Sequence, residues 1–173
     1  MSNLHDKNEL QLEFSTILSF AQELRETPFG SGHFFPASNT ITDPDVKGKC
    51  YLRFSEDFLT LDLKLKIFGD LSGDHKIILS HLHLDDASAT GPLTVSLYPN
   101  DKAVVKTKKN RKFSLKIKLT NDDIIPRNNK NNFSTNTIIS LYNAIRGNNL
   151  YVDVHGPGDY ILGMLRGQFY TPF

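Results

Sequence analysis

Apolar and charged side chains take turns along Leu61-Asp62-Leu63-Lys64-Leu65-Lys66-Ile67, and again along Lys112-Phe113-Ser114-Leu115-Lys116-Ile117-Lys118-Leu119. A period of two sends successive side chains to opposite faces of a strand, so each segment predicts a strand with one face on a core and the other in water. One-sided strands of this kind belong to antiparallel sheets. Further strand signals fall at 10–20, 49–54, 76–84, 93–98, 150–155 and 160–169, separated by Gly, Pro, Asn and Asp clusters. The expected fold is all-β: an antiparallel β-sandwich or barrel of about eight strands.

One segment departs from this period. From 137 to 146 the apolar residues Ile138, Leu141, Tyr142 and Ile145 recur at helical spacing, and Gly147 stands where a C-cap glycine would. The spacing predicts one short helix. Before it, 126–132 reads Pro-Arg-Asn-Asn-Lys-Asn-Asn, with no apolar side chain to bury, and predicts a mobile surface loop. The stretch 27–47, with three prolines, predicts irregular backbone from which Phe29, Phe34 and Phe35 can still reach the core. There is no internal repeat, no glycine-rich phosphate loop and no Gly-x-Ser-x-Gly nucleophile elbow.

A chain of 173 residues suffices to bury a two-layer core without crosslinks. The expected organisation is a tail over 1–9 and a single domain over 10–173. Lys and Arg number 20 against 19 Asp and Glu, so no global field draws the molecule to a polyanion or a membrane. The dense basic run is local: Lys106, Lys108, Lys109, Arg111 and Lys112 flank an expected hairpin turn at 108–110. A polyanion could dock there, but lysines on an edge strand also keep other chains from pairing with it, and that use fits better. Aromatics do not interleave with these lysines, so specific nucleic-acid binding is not expected.

The single cysteine, Cys50, excludes an internal disulfide. It alternates in phase with Leu52 and Phe54, which predicts an inert core thiol rather than a nucleophile. The first residues show no export signal, and no apolar run approaches the roughly 20 residues that span a bilayer. The apolar tail from Phe169 to Phe173 is expected to cap the sandwich, with docking on a neighbouring subunit as the other option.

Candidate chemistry gathers on three strand segments. Residues two apart share a face, which groups His81 and His83 with Ile77 and Leu79, groups Tyr151, Asp153 and His155, and groups Leu162, Met164, Arg166 and Gln168. Were these strands neighbours, His81, His83, Asp153, His155, Arg166 and Gln168 would form one patch. A hydrogen-bonded polar network at a sheet face, with the histidines and Arg166 donating to carbonyls and to Asp153, is the simpler use of that patch. The other use is a metal site on His81, His83 and His155, whose neutral imidazoles suit zinc or copper. This arrangement is similar to the histidine set of copper-zinc superoxide dismutases, although Cys50 lies in another strand and supplies no ligand.

Four pieces in order carry a family resemblance: Ser80-His81-Leu82-His83-Leu84, Thr90-Gly91-Pro92-Leu93, Leu150-Tyr151-Val152-Asp153-Val154-His155, and Leu165-Arg166-Gly167-Gln168-Phe169. This resembles the CHRD (chordin-type) domain, with its Ala-His-Ile-His strand, its Gly-Pro, its Tyr-Val-Asn-Val-His strand and its closing Gly-Glu-Ile-Arg-Gly-Gln strand. The likeness extends from about 10 to 169. It departs at Met164, where the family shows Glu, and at Asp153, where it shows Asn, so a site needing that glutamate is in doubt. The resemblance implies an antiparallel sandwich or barrel, a secreted or surface setting, and action by binding.

Two functions remain open at this point. The first is a non-catalytic binding or assembly module, meeting a protein partner or further copies of itself. It could be a structural component of a surface layer, spore coat or virion, a setting that would reconcile the family's surface location with the missing export signal. The second is a metal-binding protein, carrying zinc or copper on His81, His83 and His155. The first needs no cofactor.

Overall fold

The computed structural model describes residues 11–20, 24–26, 34–36, 45–129 and 132–171; for 24–26, 34–36 and 159 it describes the backbone alone. The expected tail over 1–9, Phe29, and the side chains of Phe34 and Phe35 lie outside the described residues. In chain order the strands are β1 (Glu13–Leu18), β2 (Leu24–Glu26), β3 (Phe34–Pro36), β4 (Val46–Phe54), β5 (Leu61–Gly69), β6 (Leu79–His83), β7 (Leu93–Tyr98), β8 (Val104–Lys108), β9 (Lys112–Leu119), β10 (Arg127–Asn128), β11 (Ser134–Thr135), β12 (Tyr151–His155) and β13 (Leu165–Gln168). One α-helix, α1 (Ile138–Arg146), precedes β12.

Two open antiparallel sheets make a sandwich rather than a closed barrel. The larger has the order β1-β4-β5-β9-β8 and the smaller β13-β12-β6-β7; β2-β3 and β10-β11 are short two-stranded hairpins. Alternation drives the larger sheet. Leu61, Leu63, Leu65 and Ile67 of β5 point inward with at most 2% exposure, and Leu65 lies in register between Cys50 and Leu115. Each such side chain contributes about 1.5–3 kcal/mol by leaving water. The intervening charged residues face solvent. The β8-β9 connection is the three residues Lys109, Asn110 and Arg111; Lys109 and Asn110 are both at positive φ (41° and 53°), and the Arg111 amide donates to the Lys108 carbonyl at 2.8 Å to close the turn.

At one edge the two sheets meet. Ser19, just past β1, exchanges backbone hydrogen bonds of 3.0 and 3.1 Å with Arg166 of β13, and the Thr16 hydroxyl donates to the Gln168 carbonyl at 2.6 Å. Helix α1 closes one end of the sandwich. Its Tyr142 ring makes edge contacts with Phe14, Phe54 and Phe58 at centroid distances of 5.8, 5.5 and 4.9 Å. Thr137 caps the N-terminus by accepting from Ser140 N–H, and Asn121 Oδ1 accepts from Ile138 N–H. At the other end the Asn148 and Asn149 amides donate to the carbonyls of Ile145 and Ala144, and the left-handed residue is Asn148 (φ 56°) rather than Gly147.

Three expectations need correction. The last strand does not begin at 160: Gly158–Tyr160 is a 3₁₀ turn and pairing starts at Leu165. Leu162 is therefore exposed and Met164 joins the apolar core, so these two do not share a face with Arg166 and Gln168. Pairing of β6 likewise starts at Leu79, and Ile77 belongs to the core. The asparagine-rich stretch 126–132 opens into the β10-β11 hairpin, and Asn129 is buried, donating from Nδ2 to Asn149 Oδ1 at 3.0 Å. A polar side chain with a dedicated buried partner needs no apolar neighbour to be ordered, which periodicity does not register. Lys130 and Asn131 lie outside the described residues.

Candidate functional site

Strand β12 is the middle of the site because it pairs on both sides. Toward β6, Tyr151 lies opposite His83 and Asp153 opposite His81; toward β13, Tyr151 lies opposite Gln168 and Asp153 opposite Arg166. Cross-strand partners share a face, so His81, His83, Tyr151, Asp153, His155, Arg166 and Gln168 all emerge on one side of the smaller sheet. Val152, Val154, Leu82 and Leu165 take the other side and enter the core. Both faces of β12 and β13 are buried, so the polar side is no solvent-washed surface.

What buries it is the 84–92 loop, held by Arg166 and Gln168. The Arg166 guanidinium donates to the carbonyls of Ala89 (2.9 Å) and Asp86 (2.8 Å) and to Gln168 Oε1 (3.3 Å). Gln168 Nε2 donates to the carbonyls of Asp85, Asn148 and Leu150. Arg166 is 2% exposed, and its Cζ sits 3.5 Å from the centroid of the Tyr151 ring. A buried guanidinium needs compensation, and here loop carbonyls and a π face provide it. Arg166 thus turns to the loop and not to Asp153, whose Oδ1 has no hydrogen-bond partner.

Gly91 docks the same loop over the histidines. Its amide donates to the Tyr151 hydroxyl (3.1 Å), and its carbonyl accepts from His83 Nδ1 (2.9 Å). A Cβ at this position would stand 2.1 Å from the Leu84 carbonyl oxygen, so only glycine allows the two ends of the loop to approach. His83 stacks on the Tyr151 ring at 5.0 Å with 11° between planes.

Backbone carbonyls set two of the imidazole tautomers. His83 Nδ1 faces the Gly91 carbonyl and His155 Nδ1 faces the Ile161 carbonyl, each at 2.9 Å. A carbonyl only accepts, so each Nδ1 carries the proton and, in the neutral ring, each Nε2 carries a lone pair. Both Nε2 atoms are buried without a hydrogen-bond partner. The third ring, His81, lies 5.2 Å from His155 and 5.7 Å from His83, centroid to centroid. Burial, then the neighbouring His155 and His83, hold its pKa down to about 4. Burial also lowers that of His83, outweighing the opposing pull of Asp153 and the Gly91 carbonyl. Among the described residues, His81, His83 and His155 are the group whose donor atoms come close enough to hold one ion, all within 4.8 Å of one another.

The other sequence candidates lie elsewhere. Lys106, Lys108, Lys109, Arg111 and Lys112 are exposed around the β8-β9 hairpin at the free edge of the larger sheet, where Lys112 Nζ lies 5.7 Å from the Phe68 ring centroid. Cys50 is fully buried in β4, and burial raises its thiol pKa. Phe169 is buried and joins the sandwich core, whereas Tyr170 is 54% exposed; Pro172 and Phe173 lie outside the described residues. Sequence reasoning missed the tautomer-setting carbonyls and the cage over Arg166. Gly91 was the available signal, since a glycine beside Pro92 marks a loop forced into close approach.

No helix among the described residues is long and apolar enough to cross a membrane. Neither curated proteins nor solved structures gave a match to the chain. The family model of the CHRD domain, a module of the protein-interaction type, matches residues 14–169. With that match spanning both sheets and every strand of the histidine face, the chain belongs to the CHRD domain family.

Proposed function

We propose that this chain is a non-catalytic binding module that docks a protein partner on the outer face of its five-stranded sheet. The observation that carries this reading is the composition of that face. An open groove of about 1300 Å³ runs across it, lined by the outward side chains Tyr51, Arg53, Lys64, Val104, Lys116 and Tyr170. Tyr51, Val104 and Tyr170 are 39%, 58% and 54% exposed, and Ile17, at 61%, extends the apolar area beside Tyr51. Tyrosine and arginine with scattered aliphatics, rimmed by charge, is the make-up of protein interfaces.

Cations outnumber anions here: Arg53, Lys64, Lys102, Lys116 and Lys118 against Glu13 and Asp62. The partner we expect is a protein segment that is apolar with acidic flanks. The finer form of the proposal places the module in a repeated-subunit layer such as a spore coat or virion surface. Immunogold labelling confined to free cytosol would remove that finer form alone.

A photo-crosslinking residue at position 51, introduced in the native host, tests the docking face. The reading expects a discrete protein adduct from position 51 and none from the same probe at Ile139, an exposed residue on α1. Equal labelling from both positions, or none from position 51, argues against it. Light scattering after size exclusion then tells a second copy of this chain from a different partner.

A further inference from the structure

We infer that His81, His83 and His155 form a binding site for one zinc or copper ion, ligated through the Nε2 atoms of His83 and His155 and one nitrogen of His81. The site lies on the smaller sheet and is independent of the docking face proposed above.

Convergence of unused electron pairs is the first ground. The Gly91 and Ile161 carbonyls consume the Nδ1 protons of His83 and His155, so both Nε2 lone pairs are directed into the protein with nothing to accept. Leaving a buried acceptor unpaired is unfavourable, and natural proteins rarely tolerate several side by side. A donor hydrogen bond from one ring nitrogen to a backbone carbonyl, with the other nitrogen left bare, is the arrangement that orients imidazole toward a metal.

The carboxylate of Asp153 is the second ground. Its Oδ2 lies 3.7 Å from His155 Nε2, and its Oδ1 has no hydrogen-bond partner. With the proton of His155 held at Nδ1, a carboxylate oxygen and a lone pair face each other, and a cation between or beside them converts that repulsion into attraction. Asp153 also sits across from His81 in the strand register, so it flanks the ligand set and offsets part of the ion's charge.

Size and access fit as well. Ligand nitrogens about 2.0–2.1 Å from a tetrahedral ion stand roughly 3.4 Å apart. The donor atoms here, within 4.8 Å of one another, reach that spacing by small ring rotations. His81 is half-buried, giving the ion a route in and leaving a position for water or an outside ligand. Three neutral imidazoles with a nearby carboxylate suit zinc and copper and do not suit calcium or magnesium, which prefer all-oxygen shells.

The test uses untagged full-length protein, stripped with chelator and titrated with ZnCl₂ and, separately, CuCl₂. One ion per chain is expected, with a thermal midpoint about 5–10 °C higher when free ion exceeds Kd by 100-fold. His81→Ala is expected to keep the ion-free midpoint within a few degrees and to weaken binding by about 100-fold or more. Should His155→Ala fail to fold, two-bond proton-nitrogen NMR of the unaltered protein serves instead: His83 and His155 are expected as Nδ1-protonated rings whose Nε2 signals shift on adding zinc. No saturable binding, binding unchanged in His81→Ala, or a His155 ring found protonated at Nε2 toward Asp153 and unmoved by zinc, would each overturn the inference. Zinc-only or copper-only uptake identifies the ion within it.

Discussion

The guanidinium of Arg166 lies over the ring of Tyr151, with 3.5 Å from Cζ to the ring centroid, and both side chains are buried. The same side chain fastens the 84–92 loop through the Asp86 and Ala89 carbonyls. Loop closure and sheet packing therefore share one residue. Replacing Arg166 with Met keeps the volume but leaves those carbonyls unmatched. The expected loss is about 3 kcal/mol or more in urea denaturation. Arg166→Lys should recover little, because an ammonium has neither the planar fork nor the stacking surface.

Gly91 offers a sharper test of the loop. Gly91→Ala forces a methyl to within 2.1 Å of the Leu84 carbonyl, so the loop must lift and surrender both its bond to the Tyr151 hydroxyl and its bond from His83. A destabilisation of about 2–3 kcal/mol is expected. Hydrogen exchange should show faster exchange in 84–92 while β4 and β5 stay protected. A variant as stable as the parent with an unchanged exchange map would contradict the docking role given to Gly91.

Much of this site is legible in the chain before any coordinates. His81 and His83, and likewise Tyr151, Asp153 and His155, share faces by period two alone, and the placement of Arg166 and Gln168 follows once β13 pairs with β12. The partners of Arg166 are not legible, since they are backbone carbonyls of Asp86 and Ala89, and a carbonyl has no sequence signature. The same holds for Asn129, whose buried amide contact with Asn149 looks in the sequence like one more polar residue in a polar run. Leu162 and Met164 mislead for another reason: the apolar run Tyr160-Ile161-Leu162-Gly163-Met164 reads as a continuation of the strand although the backbone there turns.

Asp123 makes stability depend on acid. Burial pushes its carboxyl up, but Lys102 together with the amide and hydroxyl of Thr120 outweighs that and holds it below the usual carboxylate range. A group depressed in the folded state stabilises above its unfolded pKa and loses that contribution as pH falls through the folded one. Asp123→Ala should therefore cost about 1 kcal/mol near neutrality, as expected for a lost capping interaction. The gap from the parent should shrink once the pH drops below the ordinary aspartate range. Parallel denaturation curves at neutral and strongly acidic pH would decide it.

Cys50 is fully buried, and burial raises its thiol pKa, so the native protein should resist thiol reagents. Labelling with a chromogenic disulfide should proceed only at the rate of unfolding and complete at once in denaturant. Cys50→Ser should destabilise by about 2 kcal/mol, because a hydroxyl would replace a thiol in an apolar site. Prompt labelling of folded protein would rule out the packing described for β4.

Thr16 and Gln168 touch although 152 positions separate them. Until the ribosome has released β13, the newly made larger sheet has no edge to clasp at Ser19, and the loop over the histidines lacks the arginine that ties it down. Closure of the sandwich therefore rests on contacts across a long stretch of chain, and pairing at such sequence separation slows folding.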